Sequence, residues 1–299
     1  MTTLRIHHCT RYRYERPVAF GVHRLMLRPR DGHDMRILSS ALSIFPAAEV
    51  TWEFDTFGNC VAYASFSDMA DELVIQSDLV LRRYGPDEPV ARLAPRAVCY
   101  PFAYGQDELI DLAPLLRLQC EEDRGVVAAW LQAVVPTPPE GSLDLLQALS
   151  AAIYEGLAYR RREEQGVQTP GQTLATGSGT CRDFAFLFME AARHLGFAAR
   201  FVTGYLYDPA VDDARDAGPV LTGGGATHAW ADIFVPGAGW IEFDPTNRIV
   251  AGKNLVRVAT TRSPSQALPI EGSYRHDGTA FLGMEVTVSL TEAAGSSVA

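Results

Sequence analysis

The chain has 299 residues, 47% of them hydrophobic and 21% charged, with 25 Gly and 18 Pro. That length suits about two domains, and the composition excludes disorder, a collagen-like repeat and a small stapled scaffold. Lys and Arg number 26 against 36 Asp and Glu, for a formal net charge of -10. A chain of that sign repels phosphate backbones and anionic bilayers, so neither nucleic acid nor a membrane is expected as a partner. The cysteines, Cys9, Cys60, Cys99, Cys120 and Cys181, are odd in number and form no C-x-x-C pair, which argues against a disulfide framework or a zinc ribbon. Arg5, His7 and His8 interrupt any signal-peptide core, and the apolar stretch 126–135 is too short to span a bilayer. A soluble, cytoplasmic protein is the expectation.

Across 4–84 the pattern has period two. Leu4, Ile6, His8, Thr10, Tyr12 and Tyr14 share one face, and Arg5, His7, Cys9, Arg11, Arg13 and Glu15 the other. Alternation recurs in VHRLMLR, ILSSALSIF, VTWEF, CVAYASF and LVIQSDLVL, with turn signals at RPRDGHD and DTFGN. The pattern predicts an all-β, sandwich-like N-terminal domain over 1–84. The Pro-bearing segment 85–96, GPDEPVARLAPR, reads as a linker. Residues 97–299 then form the second domain.

There the texture turns helical. One helix is predicted over 122–135, stopped by PTPPEG, and another is opened by Ser142 or Asp144, with Gln147 completing a capping box. A third, CRDFAFLFMEAARHLG, follows the turn TGSGT and has almost no polar face, so it must be buried. Strands come next: FAARFVTGYL, THAWADIFV and GWIEFD, the last two joined by a PGAG turn. The fold class is α+β, with a buried helix on an antiparallel sheet. The long acidic, Gly-rich segment 208–226 has the composition of a gating loop or a surface insertion, and AFLGMEVTVSL alternates as a final strand.

Cys181 sits where a glycine-rich turn meets the buried helix, at the positive end of the helix dipole, where a thiolate is favoured. Gly177 and Gly179 free the N–H groups of residues 180–182 to face one spot, as an oxyanion site requires. His228 begins one strand and Asp244 ends the next, and a hairpin through 237–239 brings imidazole and carboxylate together. Nucleophile, base and orienting acid make a thiol acyl-transfer triad. A metal reading of the three needs a fourth ligand or an open water site that no nearby spacing supplies, so no cofactor and no metal is expected.

The stretch GSGTCRDFAFLFMEAARHLGFAARFVTGYL followed by THAWADIFVPGAGWIEFDPTN closely resembles the core of the transglutaminase-like superfamily, whose fold is papain-like. The period-two N-terminal domain, with DTFGN at its middle, resembles that of bacterial members assigned as cysteine proteases. The resemblance implies Cys181 as nucleophile, His228 as base and Asp244 as orienting acid. It implies a peptidase, amidase or amine acyltransferase that works through a thioester on a peptide or protein amide. Gln172 matches an upstream oxyanion side chain only by position. Asp183 reads as a cap, and Trp230, Trp240 and Tyr205 as core residues or cleft lining. The competing reading is a non-catalytic papain-like binding or scaffold module, since fold alone does not prove activity.

Overall fold

Alternation along the start of the chain builds β1 (Thr2–Phe20), with Leu4, Ile6, His8 and Thr10 buried and Arg5 exposed. The computed structural model describes residues 1–84, 92–160, 166–209, 221–224, 226–250, 252, 254–275 and 278–293. Most of the expected linker and most of the acidic loop at 208–226 lie outside the described residues. After β1 come β2 (His23–Leu25), β3 (Met35–Phe45), β4 (Ala48–Phe54), β5 (Cys60–Phe66) and β6 (Met69–Arg83). They fall into two antiparallel sheets, one with β1, β6 and β3 in that order and the other with β2, β5 and β4. Val18, Phe20, Leu73 and Ile75 of the first sheet meet Leu25, Ala62 and Ala64 of the second in one apolar cluster.

The helical part comprises α1 (Pro95–Val98), α2 (Gln106–Leu116), α3 (Arg124–Val134), α4 (Ser142–Gly156), α5 (Pro170–Thr176) and α6 (Cys181–His194). A short parallel pair, β7 (Ala158–Tyr159) with β8 (Ser178–Gly179), lies just ahead of α6. The expected capping box of Asp144 with Gln147 is not formed. The N-cap is Gly141, and Asp144 sits inside the first turn, where a carboxylate favours the helix through its dipole instead.

As its composition requires, α6 is buried along nearly its whole length. Phe184, Leu187, Phe188 and Ala191 share a core with Leu145, Leu149 and Ile153 of α4. Its two charged residues near the C-terminal end are buried as a pair. Arg193 Nη1 donates to Glu190 Oε1 at 2.8 Å, and Glu190 Oε2 accepts from the backbone N–H groups of Gln119 and Cys120. The remaining guanidinium N–H groups reach the carbonyls of Leu115, Ala199 and Arg262. A buried ion pair is tolerable only when its spare donors and acceptors are satisfied in this way.

The sheet under α6 consists of β9 (Ala198–Leu206), β10 (Ala226–Val235), β11 (Gly239–Asp244), β12 (Ile249–Val250) and β13 (Leu255–Thr261), in the spatial order β12, β11, β10, β9, β13 and antiparallel throughout. Ala229, Ala231 and Ile233 of β10 and Phe201 of β9 join the α6 core. Gly204 of β9 stands opposite His228 and passes so close to β13 that a Cβ there would run into the Val256 carbonyl.

The end of the chain departs from the expected division at 97–299. After β13, β14 (Ile270–Glu271) pairs with β2, and β15 (Tyr274–Arg275) and β16 (Phe281–Glu292) both pair with β1. The final strand therefore completes an N-terminal sheet. The physical reason is that β1 would otherwise leave a long row of backbone donors and acceptors unpaired on one edge.

Between the two parts, Leu4, Ile6, Leu79, Leu81 and Leu290 pack on Tyr205, Tyr207, Val256 and Val258. His8 Nδ1 and the Tyr205 hydroxyl are 2.9 Å apart. Burial pushes the His8 ring down to about 4, so this histidine is a neutral member of the joint. Asn59 bridges to β13 through the N–H and carbonyl of Thr260, and Arg83 donates to the Leu255 carbonyl. Among the described residues no helix is long and apolar enough to cross a membrane.

Candidate active site

Cys181 is the first residue of α6, and the chain ahead of it is held from two directions. Ala158 N donates to the Gly177 carbonyl and Arg160 N to the Gly179 carbonyl. Gly177 ends α5 in the left-handed region, with φ of 61°. Asp183 fixes the helix start. Its Oδ2 accepts from Thr180 N at 2.7 Å and Thr180 Oγ1 at 2.9 Å, and its Oδ1 accepts from Gln168 N at 2.7 Å. Gly179 is required beside this cap, because a Cβ there would lie 2.8 Å from Asp183 Cβ. The expected capping role of Asp183 is what the contacts describe. Gln172 is also a cap: its Oε1 accepts from Thr169 N at 2.9 Å, which commits it to the start of α5.

The β10/β11 hairpin sets the other two groups. Val235 faces Gly239 and Ala231 faces Phe243, so Asp244 stands opposite Trp230 and diagonally from His228, on the same side of the sheet. His228 Nε2 and Asp244 Oδ2 are 2.8 Å apart, and both side chains are fully buried. Asp244 Oδ1 accepts from Thr246 N at 2.9 Å, and Oδ2 accepts a second donor, Asn247 Nδ2, at 2.8 Å. The carboxylate thus orients the imidazole and also organises the D-P-T-N turn.

His228 Nδ1 is buried and has no regular hydrogen-bond partner among the described residues. With Nε2 engaged, Nδ1 is the ring nitrogen left for the Cys181 sulfur, whose nearness favours the charged ring. Burial opposes charging of the imidazole, but Asp244 and Cys181 outweigh it and raise His228 to about 10. The direction is upward, so the ring keeps its second proton through neutrality and loses it only in alkaline solution. Histidine ¹⁵N NMR should therefore show His228 as imidazolium at neutral pH, with its titration displaced above the ordinary value of about 6.5. A His228 midpoint near the ordinary value would remove the ion-pair description of the site.

Of the aromatic candidates, Trp230 and Tyr205 are core residues and Trp240 is half-buried. Trp230 is fully buried and stacks on His228 at 6.3 Å between ring centroids. Tyr205 lies in the joint between the two parts, and Trp240 carries Arg200 at 4.2 Å from its ring. All five thiols are unpaired. Cys99 is exposed, while burial raises Cys60 and, reinforced by Glu190, raises Cys120 to about 12. Among the described residues no group of three His, Cys, Asp or Glu side chains is arranged to hold a metal ion. Sequence reasoning missed Asn247 and saw Gly223 only as one glycine of the loop 208–226. Asn247 was visible three residues after Asp244, at the offset where a side chain folds back on an Asx-type turn.

A strand-rich N-terminal unit thus stands beside a core in which Cys181 heads a buried helix and His228 meets Asp244 across two neighbouring strands. The chain is similar to the transglutaminase-like superfamily. The model of that superfamily matches residues 129–245, and that of the bacterial transglutaminase-like N-terminal region matches residues 4–82. An uncharacterised protein of Mycobacterium tuberculosis is 27% identical over 284 residues, covering 90% of this chain and 86% of its own. One from Mycobacterium leprae is 24% identical over 310 residues, covering 98% of this chain and 100% of its own. The crystal structure of a candidate cysteine protease from Cytophaga hutchinsonii shares the fold, with a TM-score of 0.71 at 19% identity, over 97% of this chain and 90% of that one.

Proposed function

We propose that the protein is a thiol acyl-transfer enzyme acting on amide bonds of peptides or proteins. The observation that carries this reading is the buried 2.8 Å contact of His228 with Asp244, which leaves the other ring nitrogen for the thiol at the head of α6. His228 takes the Cys181 thiol proton, and the sulfur attacks the amide carbonyl and forms the C–S bond as the carbonyl electron pair moves to oxygen, with Asp244 keeping His228 in orientation. As the tetrahedral intermediate collapses, the C–N bond breaks, His228 gives its proton to the leaving amine, and a thioester remains. Water or a second amine then attacks the thioester and gives a proton to His228, the C–S bond breaks to yield an acid or a new amide, and the proton returns to the Cys181 sulfur. The N–H groups at the start of α6 are the donors available to the oxyanion. We read the two N-terminal sheets as a sandwich-like brace for this core, and the unpaired cysteines suit a reducing, cytoplasmic setting.

The test uses access against activation. Cys99 is exposed whereas Cys181 is only 9% exposed, so access alone would label Cys99 first. Substoichiometric iodoacetamide with peptide mapping should instead label Cys181 first, and a peptide library should leave an acyl group on Cys181 detectable by mass spectrometry. Labelling of Cys99 ahead of Cys181, with no acyl adduct, would leave the chain as a papain-like binding module.

A further inference from the structure

The turn at 221–224 runs beside Nδ1 of the imidazole, the ring nitrogen left for the thiol. A Cβ on Gly223 would stand 3.3 Å from His228 Nδ1, and Gly223 has φ of 82°. The turn is anchored by Leu221, whose N–H donates to Asp208 Oδ2 at 2.8 Å and whose side chain packs against the cluster of Val202, Leu206, Trp230 and Leu255. Its third anchor is Asn247. Asn247 Oδ1 accepts from Thr222 N at 2.8 Å, and Nδ2 donates both to the Thr222 carbonyl at 3.2 Å and to Asp244 Oδ2 at 2.8 Å. That oxygen is the one that holds His228 Nε2.

We propose that Asn247 is a positioning residue, tying the turn over His228 Nδ1 to the Asp244 carboxylate so that the cover and the pose of the ring are set together. The inference rests on the acyl-transfer reading above. The chemistry demands a primary amide: one side chain has to donate to a carboxylate and a carbonyl while accepting an N–H. A carboxylate here would face Asp244 with a second negative oxygen, and an aliphatic residue would release the turn. Asn247 also shares Oδ2 with the imidazolium, and so limits how strongly Asp244 holds the ring proton. The charged or titratable groups facing the ring are Asp244 and Cys181, with Asp208 across the turn.

Asn247→Asp keeps the acceptor for Thr222 N and removes the donor to Asp244, whereas Asn247→Ala removes both. The experiment follows Cys181 alkylation by iodoacetamide and the His228 ring ¹⁵N signals across pH in wild type and both variants. Asn247→Asp should alkylate about tenfold more slowly near neutrality, and recover on acidification as the introduced carboxyl gains a proton and donates again. The His228 signals should move with the same midpoint. Asn247→Ala should show the slow rate and displaced ring signals without acid recovery, and it carries the test if Asn247→Asp fails to fold. Wild-type rates and unmoved ring signals in the folded variants, with only a lowered melting temperature, would make Asn247 a brace of the turn and overturn the proposal. If the wild-type thiol is inert, the acyl-transfer reading fails separately, and the ring signals still decide whether Asn247 positions His228.

Discussion

Cys181→Ala should abolish acyl-enzyme formation and lower turnover by about 10⁴-fold or more, because no other group at the site can form the thioester. The fold should survive. The substitution removes one sulfur from the end of a helix whose core contacts come from Phe184, Leu187 and Phe188, further along. Its cost in stability is expected to be about 1 kcal/mol, read as a small shift of the urea midpoint. Asp183 still holds Thr180 and Gln168, so the helix start keeps its shape without the thiol. The variant should also weaken the hold on the His228 proton, since one of the two groups that raise the ring has gone. Turnover retained in Cys181→Ala would show that another residue carries the chemistry.

The site was legible in the sequence because its parts are local. A glycine-rich turn before an all-apolar helix fixes where Cys181 stands, and a hairpin of readable length fixes the diagonal between His228 and Asp244. Long-range pairing was less legible. Nothing in AFLGMEVTVSL says that its partner is β1, at the other end of the chain; the alternation predicts a strand and is silent about its neighbour. The helix α2 was missed because Pro114 lies within it, a residue that ordinarily argues for a boundary. The pair Glu190 and Arg193 read as a sliver of polar face, and became buried because backbone groups from Leu115, Gln119, Cys120, Ala199 and Arg262 converge on them. Asn247 belongs to the same kind. Its meaning depends on Thr222, which sequence places far away and the fold places beside it.

Asp244→Asn is expected to damage turnover far more than stability. The carboxylate accepts three donors, His228 Nε2 and Asn247 Nδ2 on one oxygen and Thr246 N on the other. An amide has one acceptor oxygen, so its NH₂ must face at least one of these donors. The less damaging orientation keeps the oxygen on His228 and Asn247 and turns the NH₂ toward Thr246 N, at a cost of about 1–3 kcal/mol for the unsatisfied turn. In that orientation the negative charge is still gone. Burial then pushes His228 toward its neutral form, because the larger of the two groups that raised it has been removed. A neutral ring held through Nε2 by the amide oxygen carries no proton on Nδ1 ready for the leaving amine, for which a loss of about 10³ to 10⁴-fold in acylation rate is expected. The alternative role, holding the D-P-T-N turn, predicts a different ratio: loss of activity only in proportion to unfolded protein. Urea denaturation and acylation rates measured on one preparation of Asp244→Asn separate the two. Full-rate acylation by the folded fraction would assign Asp244 to the turn alone.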